Sequence, residues 1–375
     1  MVTYPEKWRE VSLSEVADVR DGTHDSPQYV AYGYPLVTSK NLKKGKIDWS
    51  DIQYISKKDF DEINKRSKVD SNDILMGMIG TIGNIAMISK KCDFAIKNVA
   101  LIKDIQKVNM LYLYYYLQSK NTVDQLADQA DGGNQKFIAL NKIRNFATLL
   151  PSESEQEHIA KTLVCFDTYL DNLTELIEKK RNIRDGALED LVSGRTRLDG
   201  FNYTWKDGKI GDVLTILHGK NQHGVECNSG KYPILGTGGI IGKSIEYLCD
   251  WECVLIGRKG TIDKPIYMKT PFWTIDTLYY SKPMENQCVK FQYYLFCTIS
   301  WYDYTESSGR PSLAKKAIES IEIKLPKYEE QVEIASVLTA MDEEIDALES
   351  ERDKIIQIRE GAMDDLLTGR VRLKA

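Results

Sequence analysis

The residues that invite a chemical reading lie in glycine-rich turns. Gly236 to Ser244 ends in Gly242-Lys243-Ser244, the tail expected of a loop that wraps phosphates. Such a loop needs a glycine five positions before Gly242, so that backbone N–H groups can be aimed inward. Position 237 is threonine, and the stretch reads instead as a tight turn between strands. Gly77-Met78-Ile79-Gly80 and Gly257-Arg258-Lys259-Gly260 read as turns too. The seven cysteines are scattered and odd in number; Cys249 and Cys253 stand four apart, no CxxC pair occurs, and there are four histidines. That spacing suits no structural zinc, and the thiols are expected to stay reduced in a cytoplasmic protein. No Asn-Pro-Pro-Tyr run marks an adenine methyltransferase, and no carboxylate–lysine cluster marks a nuclease. His158 falls at a helix start and reads as solvated. The expectation is a chain with no catalytic site, metal or cofactor of its own.

With 375 residues, 42% of them hydrophobic, there is enough apolar side chain for two ordinary domains. No apolar run reaches 18 residues, so no membrane span is expected. Met1 to Trp8 lacks a basic-then-apolar pattern, so no signal peptide is expected either. The formal charge of −5 is unevenly spread. Residues 1–150 carry 21 basic against 18 acidic side chains, and residues 199–325 carry 15 against 14. Residues 151–198 carry 7 against 10, and residues 326–375 carry 7 against 13. The acidity thus sits in two short segments. A nucleic-acid face needs only a local cluster of cations, which the two large blocks can supply.

Those two acidic segments are copies of each other, 175 positions apart without a gap. Pro151, Glu155-Gln156, Ile159-Ala160, Leu163 and Asp167 match Pro326, Glu330-Gln331, Ile334-Ala335, Leu338 and Asp342. Gly194-Arg195-Thr196-Arg197-Leu198 matches Gly369-Arg370-Val371-Arg372-Leu373. The large blocks repeat more loosely. Trp8, Leu13, Val16 and Gly22 align with Trp205, Ile210, Val213 and Gly219. Ile74-Leu75-Met76-Gly77 aligns with Val254-Leu255-Ile256-Gly257, and Tyr115-Tyr116-Leu117 with Tyr293-Tyr294-Leu295. The offset falls from 197 to 175 along the chain, so the first copy carries insertions. Framework residues recur while the sequence between them differs, which predicts one fold presenting two different surfaces.

In the first acidic segment apolar residues fall at Ile159, Leu163, Phe166, Leu170, Leu173 and Ile177, a heptad seam. The second gives Ile334, Leu338, Met341, Ile345 and Leu348, then Ile355. Proline and acidic residues precede each seam, and Gly194 and Gly369 close it. Each helix should run from about residue 155 to 192, or 330 to 367, roughly 55 Å. Pairing with each other, antiparallel, is the simplest way to cover both stripes; packing each helix on its own domain is the alternative. In the blocks, Asp73 to Met76 and Cys253 to Ile256 read as buried strands. Met110 to Leu126 and Val289 to Ser300 are tyrosine-rich at helical spacing. Leu111 to Leu117 is read as helix core in preference to a base-stacking surface, because the Tyr-Tyr-Leu element recurs in both blocks.

Leu150-Pro151, Glu155-Gln156 and Ile159-Ala160, with Leu325-Pro326, Glu330-Gln331 and Ile334-Ala335, form the pattern L-P-x-x-x-E-Q-x-x-I-A twice. Together with the openings at Trp8 and Trp205 and the run Tyr232 to Gly242, this order resembles the specificity (S, HsdS) subunits of type I restriction–modification enzymes. The resemblance spans essentially the whole chain. It implies an α+β protein with two similar target-recognition domains, residues 1–150 and 199–325. They would be separated by two long helices, in 151–198 and 326–375, forming an antiparallel coiled coil in a pseudo-two-fold tandem repeat. It implies that each domain reads half of a split double-stranded DNA site. Two methyltransferase (M) subunits would dock on the helices and restriction (R) subunits would join through them, with this chain non-catalytic. Rival readings are a single-chain restriction endonuclease or methyltransferase, and a coiled-coil scaffold that binds no DNA.

Base readout needs polar or cationic side chains on exposed loops. The candidates in the first block are Lys40, Asn41, Lys43, Lys44, Thr81, Asn84, Asn134, Gln135 and Lys136. In the second they are Lys220, Asn221, His223, Lys243, Arg258, Lys259, Arg310 and Ser312. Arg258-Lys259 and Asn134-Gln135-Lys136 stand out because each adjoins a glycine where a loop is expected.

Overall fold

The duplication in the sequence is carried into the backbone. The computed structural model describes residues 8–80, 82–90, 93–133, 136–305, 309 and 311–373. The chain divides into two compact units: one runs up to Leu173 and resumes at Glu351, and the other is Thr174–Ser350. The first unit holds an antiparallel sheet in the order Ala17–Asp21, Val99–Asp104, Ile74–Gly77, Ile85–Met87. The second holds Leu214–His218, Leu278–Pro283, Cys253–Gly257, Ile266–Met268 in the same order. A small layer beside each sheet contains one parallel pair, Tyr34–Thr38 with Ala95–Lys97 and Tyr232–Gly236 with Trp273–Thr274. Two-stranded ribbons, Arg9–Ser12 with Ala147–Leu150 and Lys206–Lys209 with Glu322–Leu325, complete the likeness.

Ile74–Gly77 and Cys253–Gly257 are continuous apolar runs because both faces of each strand are covered. Ile74 and Met76 join one cluster while Leu75 joins another. Val254 and Ile256 face one cluster, and Cys253 and Leu255 another. The first unit adds helices at Lys57–Ser67 and Lys120–Asp128 and a small hairpin, Leu42–Lys43 with Lys46–Ile47. These have no counterpart among the described residues of the second unit and account for the drifting offset. Gly22 and Gly219 recur because another backbone runs hard against them. A Cβ there would lie 2.3 Å from the Ile96 carbonyl oxygen and 1.9 Å from that of Ile275.

The long helices span Glu153–Ser193 and Tyr328–Leu367, each starting two residues before the expected position. Acidic residues in both first turns, Glu153 with Glu155 and Glu329 with Glu330, favour the helix N-terminus and extend it toward the proline. Gly194 and Gly369 stop them with φ of +73°, the left-handed geometry of a helix C-terminus. None of the twelve heptad residues is exposed. Ile159 and Leu163 sit in the first unit's core with Met363, Leu366 and Leu367. Ile334 and Leu338 sit in the second unit's core with Leu188, Leu191 and Val192. Each unit thus buries the start of one long helix against the end of the other. Within the first unit Asp167 accepts from Arg359 Nε at 2.5 Å and Glu351 from the Tyr169 hydroxyl at 2.5 Å. Within the second, Lys180 meets Glu344 at 2.7 Å and Arg184 meets Asp342 at 3.5 Å. Numbers rise along one segment as they fall along the other, so the paired segments run antiparallel inside each unit.

The tyrosine-rich stretch Met110 to Leu126 is not one helix. Met110–Gln118 ends at Ser119, whose hydroxyl accepts from Thr122 N and caps Lys120–Asp128. Serine at a cap satisfies an orphan N–H and offers the chain a corner. Tyr112, Tyr115 and Tyr116 are buried in the core. The matched Tyr-Tyr-Leu triplets are out of structural register by one residue. Asn109 N and Cys288 N each donate to the repeated glutamine, Gln156 or Gln331, and Tyr115 and Tyr294 each donate at 2.7 Å to the repeated aspartate. Tyr115 therefore corresponds to Tyr294, not Tyr293.

Candidate nucleic-acid interface

The most strongly repeated polar residues are internal anchors. Glu155 accepts from Trp8 Nε1 at 3.2 Å and from Arg372, whose guanidinium lies 5.7 Å from the Trp8 ring centre. Glu330 accepts from Trp205 Nε1 at 3.1 Å and from Arg197 Nε at 2.6 Å, with Arg197 5.5 Å from the Trp205 ring. Gln156 and Gln331 each spend their amide N–H on the carbonyl of Pro151 or Pro326. Burial above all raises the pKa of the Tyr115 and Tyr294 hydroxyls; Asp167 adds to it at Tyr115, and at Tyr294 Thr339 opposes while Asp342 adds, so both stay protonated donors. These groups position each domain on the helix segments of its own unit.

The exposed, unlike residues gather elsewhere, at one edge of each antiparallel sheet. In the first unit Asp21 is one register step from Val99, which faces Gly77. The strands ending at Asp21 and Gly77 therefore deliver their following loops to the edge where Val99–Asp104 begins. In the second unit His218 faces Tyr279 and Gly257 faces Leu278, giving the same convergence. A further segment, before each short helix, closes on the glycine-bounded loop. Ile79 bridges Phe137 with Gly80 N donating to Lys136 O at 2.9 Å; Lys259 bridges Ser312 with Gly260 N donating to Pro311 O at 3.1 Å. The backbone pairing is the same while the side chains differ completely.

This edge brings together Asn84 and Lys136 in the first unit, and Lys220, Asn221, His223, Arg258, Lys259 and Ser312 in the second. Lys136, Lys220, Asn221, His223 and Lys259 are exposed, and Arg258 and Ser312 half-buried. Lys220 is held by its backbone, N to Thr274 O at 2.8 Å and O to Trp273 Nε1 at 2.9 Å, leaving the ammonium outward. Arg258 reaches the Asp276 carbonyl at 3.3 Å, and Asn84 the Leu42 carbonyl at 2.9 Å. Asn41 lies inside: its amide ties Thr38 to the carbonyls of Asp48 and Asp51. Lys40 pairs with Asp51 at 2.9 Å and Lys43 with Asp48 at 2.7 Å. Lys44 tips the hairpin whose Gly45 O accepts from Tyr114. Lys243 sits on Gly239–Ser244 opposite Pro233, at the far end of that ribbon. Thr81, Asn134, Gln135 and Arg310 lie outside the described residues.

Sequence reasoning missed the loop after Gly22, the counterpart of Lys220 to His223. Its His24 ring bridges Asn98 Oδ1 and Asp21 Oδ2, each at 2.9 Å, and Arg66 also pairs with Asp21. The Asn98 contact and then Asp21 raise the His24 pKa above its usual value, with Arg66 opposing. A raised folded-state pKa stabilises below the unfolded value of about 6.5 and loses that stabilisation as pH rises through the folded value. His24→Ala should therefore lower the denaturation midpoint of the first unit more at pH 5.5 than at pH 8.5. Equal losses at both would show that protonation contributes nothing. The only sequence signal was the repeated glycine before the loop.

Among the described residues no group of three or more His, Cys, Asp or Glu side chains stands close enough to hold a metal ion, and no helix is long and apolar enough to cross a membrane. Cys249 and Cys253 lie with their sulfurs 3.8 Å apart as free thiols.

Two copies of one α+β fold, offering the same loop-built edge with different side chains, define a tandem recognition protein. The family model for the Type I restriction modification DNA specificity domain matches twice, at residues 5–183 and 202–358, and the chain belongs to that family. The type I restriction enzyme MjaVIII specificity subunit of Methanocaldococcus jannaschii is 24% identical over 422 residues, 99% of this chain and 94% of that protein. The EcoBI specificity subunit of Escherichia coli is 26% identical over 182 residues, covering 47% of this chain and 38% of its own. The crystal structure of a type I restriction–modification S subunit from M. genitalium superposes with a TM-score of 0.63 at 19% identity, covering 96% of both chains. The α+β fold is therefore shared with that solved S subunit.

Proposed function

We propose that each unit reads one half of a bipartite, non-palindromic DNA site. In this reading residues 1–150 and 199–325 are the two target-recognition domains. The helical regions 151–198 and 326–375 form an antiparallel coiled coil that sets the unread spacer. The same helices dock two methyltransferase subunits, restriction subunits join through that complex, and the chain itself catalyses nothing. The observation that carries the reading is the pair of sheet edges with common backbone pairing and unlike side chains. Ile79 and Phe137 occupy in one unit the bridge that Lys259 and Ser312 occupy in the other. Side chains that vary on a constant frame are what two different base sequences demand. Clustered Lys220, Arg258 and Lys259 suit phosphate and guanine contacts in an otherwise acidic chain.

The test is single-molecule methylome sequencing of a methylation-free host carrying this chain with its methyltransferase partner. A bipartite adenine-methylated motif that depends on this chain, and changes one half when residues 1–150 are exchanged, is the expected result. No new motif with a methyltransferase shown to be active would favour a scaffold that reads no DNA.

A further inference from the structure

The geometry points to the ribbon Tyr232–Ser244 as the second unit's major-groove reader, with Ile240 recognising the 5-methyl group of a thymine. This deepens the DNA-reading proposal and rests on it.

Tyr232–Gly236 and Gly239–Ser244 form an antiparallel ribbon in which Gly239–Ser244 is an edge strand. Ile234 faces Gly242 but Leu235 faces Ile240, so Ile241 is an extra residue in the ladder. A bulge breaks the in–out alternation of a strand and re-aims its side chains. Here it turns two consecutive isoleucines outward: Ile240 is 71% exposed and Ile241 51%. Ile240 is the most exposed large aliphatic side chain among the described residues. Ile245, beyond the other end of the strand, is 58% exposed. A bare apolar edge strand invites aggregation and is otherwise blunted by charge or cover.

Three further features select DNA as the occupant. A two-stranded ribbon has the width of the major groove, where thymine presents its methyl group as the apolar mark of an A·T pair. The ribbon's tip is continuous with the loop edge: Ile275 N donates to Leu235 O at 3.1 Å, and the neighbouring Thr274 O accepts from Lys220 N at 2.8 Å. Lys243 on the ribbon and Lys231 just before it are both exposed at its Ser244 end, where they suit phosphates flanking the groove. Acidic Glu226 bridges Ser244 at that same end, with its carboxylate beside Gly242. In the first unit the strand hydrogen-bonded antiparallel to Tyr34–Thr38, Gln53–Ile55, is covered in turn by Tyr29–Val30 and is not an edge. The device would then belong to one half-site only.

The experiment uses the complex of the full chain with its methyltransferase subunits, on duplexes carrying the methylated motif. Each thymine of the second half-site is replaced in turn by deoxyuridine, which lacks only the methyl. At one position the wild-type complex should lose about fourfold in affinity, the worth of one buried methyl. Ile240→Ala should show that same loss on the natural duplex and no further loss with deoxyuridine, while Ile240→Val keeps most of the discrimination. Neutral deoxyuridine at every position, a second half-site without an A·T pair, or an Ile240→Ala complex that still discriminates overturns the assignment. So does weaker assembly of Ile240→Ala with the methyltransferase in the absence of DNA, which gives the patch to a protein partner. Failure of the broader reading is distinct: no bipartite motif would then be found with the wild-type chain.

Discussion

Replacing Glu330 by alanine is expected to destabilise the second unit by about 3 kcal/mol, the range for breaking a buried charge pair. Glu330 is 1% exposed and accepts from Arg197 Nε, Arg197 Nη2 and Trp205 Nε1. Removing the carboxylate strands the Arg197 Nε–H and the Trp205 indole N–H, while Arg197 Nη2 keeps only the Tyr203 carbonyl at 3.0 Å, and the cost is dominated by those stranded donors. The Arg197 side chain is 29% exposed, so water can replace only part of what is lost. Its counterpart Arg372 is 41% exposed, so Glu155→Ala should cost the first unit less. Glu330→Gln keeps the shape and a neutral acceptor and should fall between wild type and alanine. Urea denaturation followed by tryptophan fluorescence measures all three, provided the transitions of the two units are fitted separately. A Glu330→Ala loss under about 1 kcal/mol would sink the anchor interpretation.

That anchor marks a boundary of what the sequence discloses. Duplication of Glu155-Gln156 and Glu330-Gln331 was plain, but not what the residues touch. Trp8 and Arg372 stand 147 and 217 positions from Glu155, and no local pattern encodes such distances. Periodicity did disclose the long helices and the buried strands, because one apolar face or two leaves a direct trace in the order of residues. It failed in the tyrosine run, where nearly any register matches Tyr to Tyr. The identical triplet then aligned Tyr115 with Tyr293, while the cap and aspartate contacts equate it with Tyr294.

The loop residues were legible only in part, for a different reason. Residue type says which side chains can read a base, but exposure decides which are offered. Asn41 has the right chemistry and spends all of it on its own turn. Lys259 was chosen for its glycine neighbours and lies on the convergent edge. Ile240 was not among the candidates because base readout was sought in polar and cationic side chains. The bulge that exposes it comes from the pairing of two strands and has no signature in composition.

The spacer proposal makes the second large prediction. Deleting one heptad from each long helix, Leu170–Leu176 and Ser350–Ile356, keeps both seams in phase. It also leaves untouched the anchors at Glu155, Asp167, Glu330 and Asp342. Seven residues shorten a helix by about 10 Å, close to three base pairs of duplex. If the helices set the unread gap, the methylated motif should keep both half-sites and lose about three positions between them, or methylation should cease because the halves no longer fit one duplex. Methylome sequencing separates these outcomes, with circular dichroism confirming that the variant remains folded. Deletion from one helix alone would slip the seams against each other and should abolish methylation. Changed half-site bases after the paired deletion would mean that the helices take part in base reading, and the ruler would have to be abandoned. An unchanged spacer would place its control in the methyltransferase subunits instead.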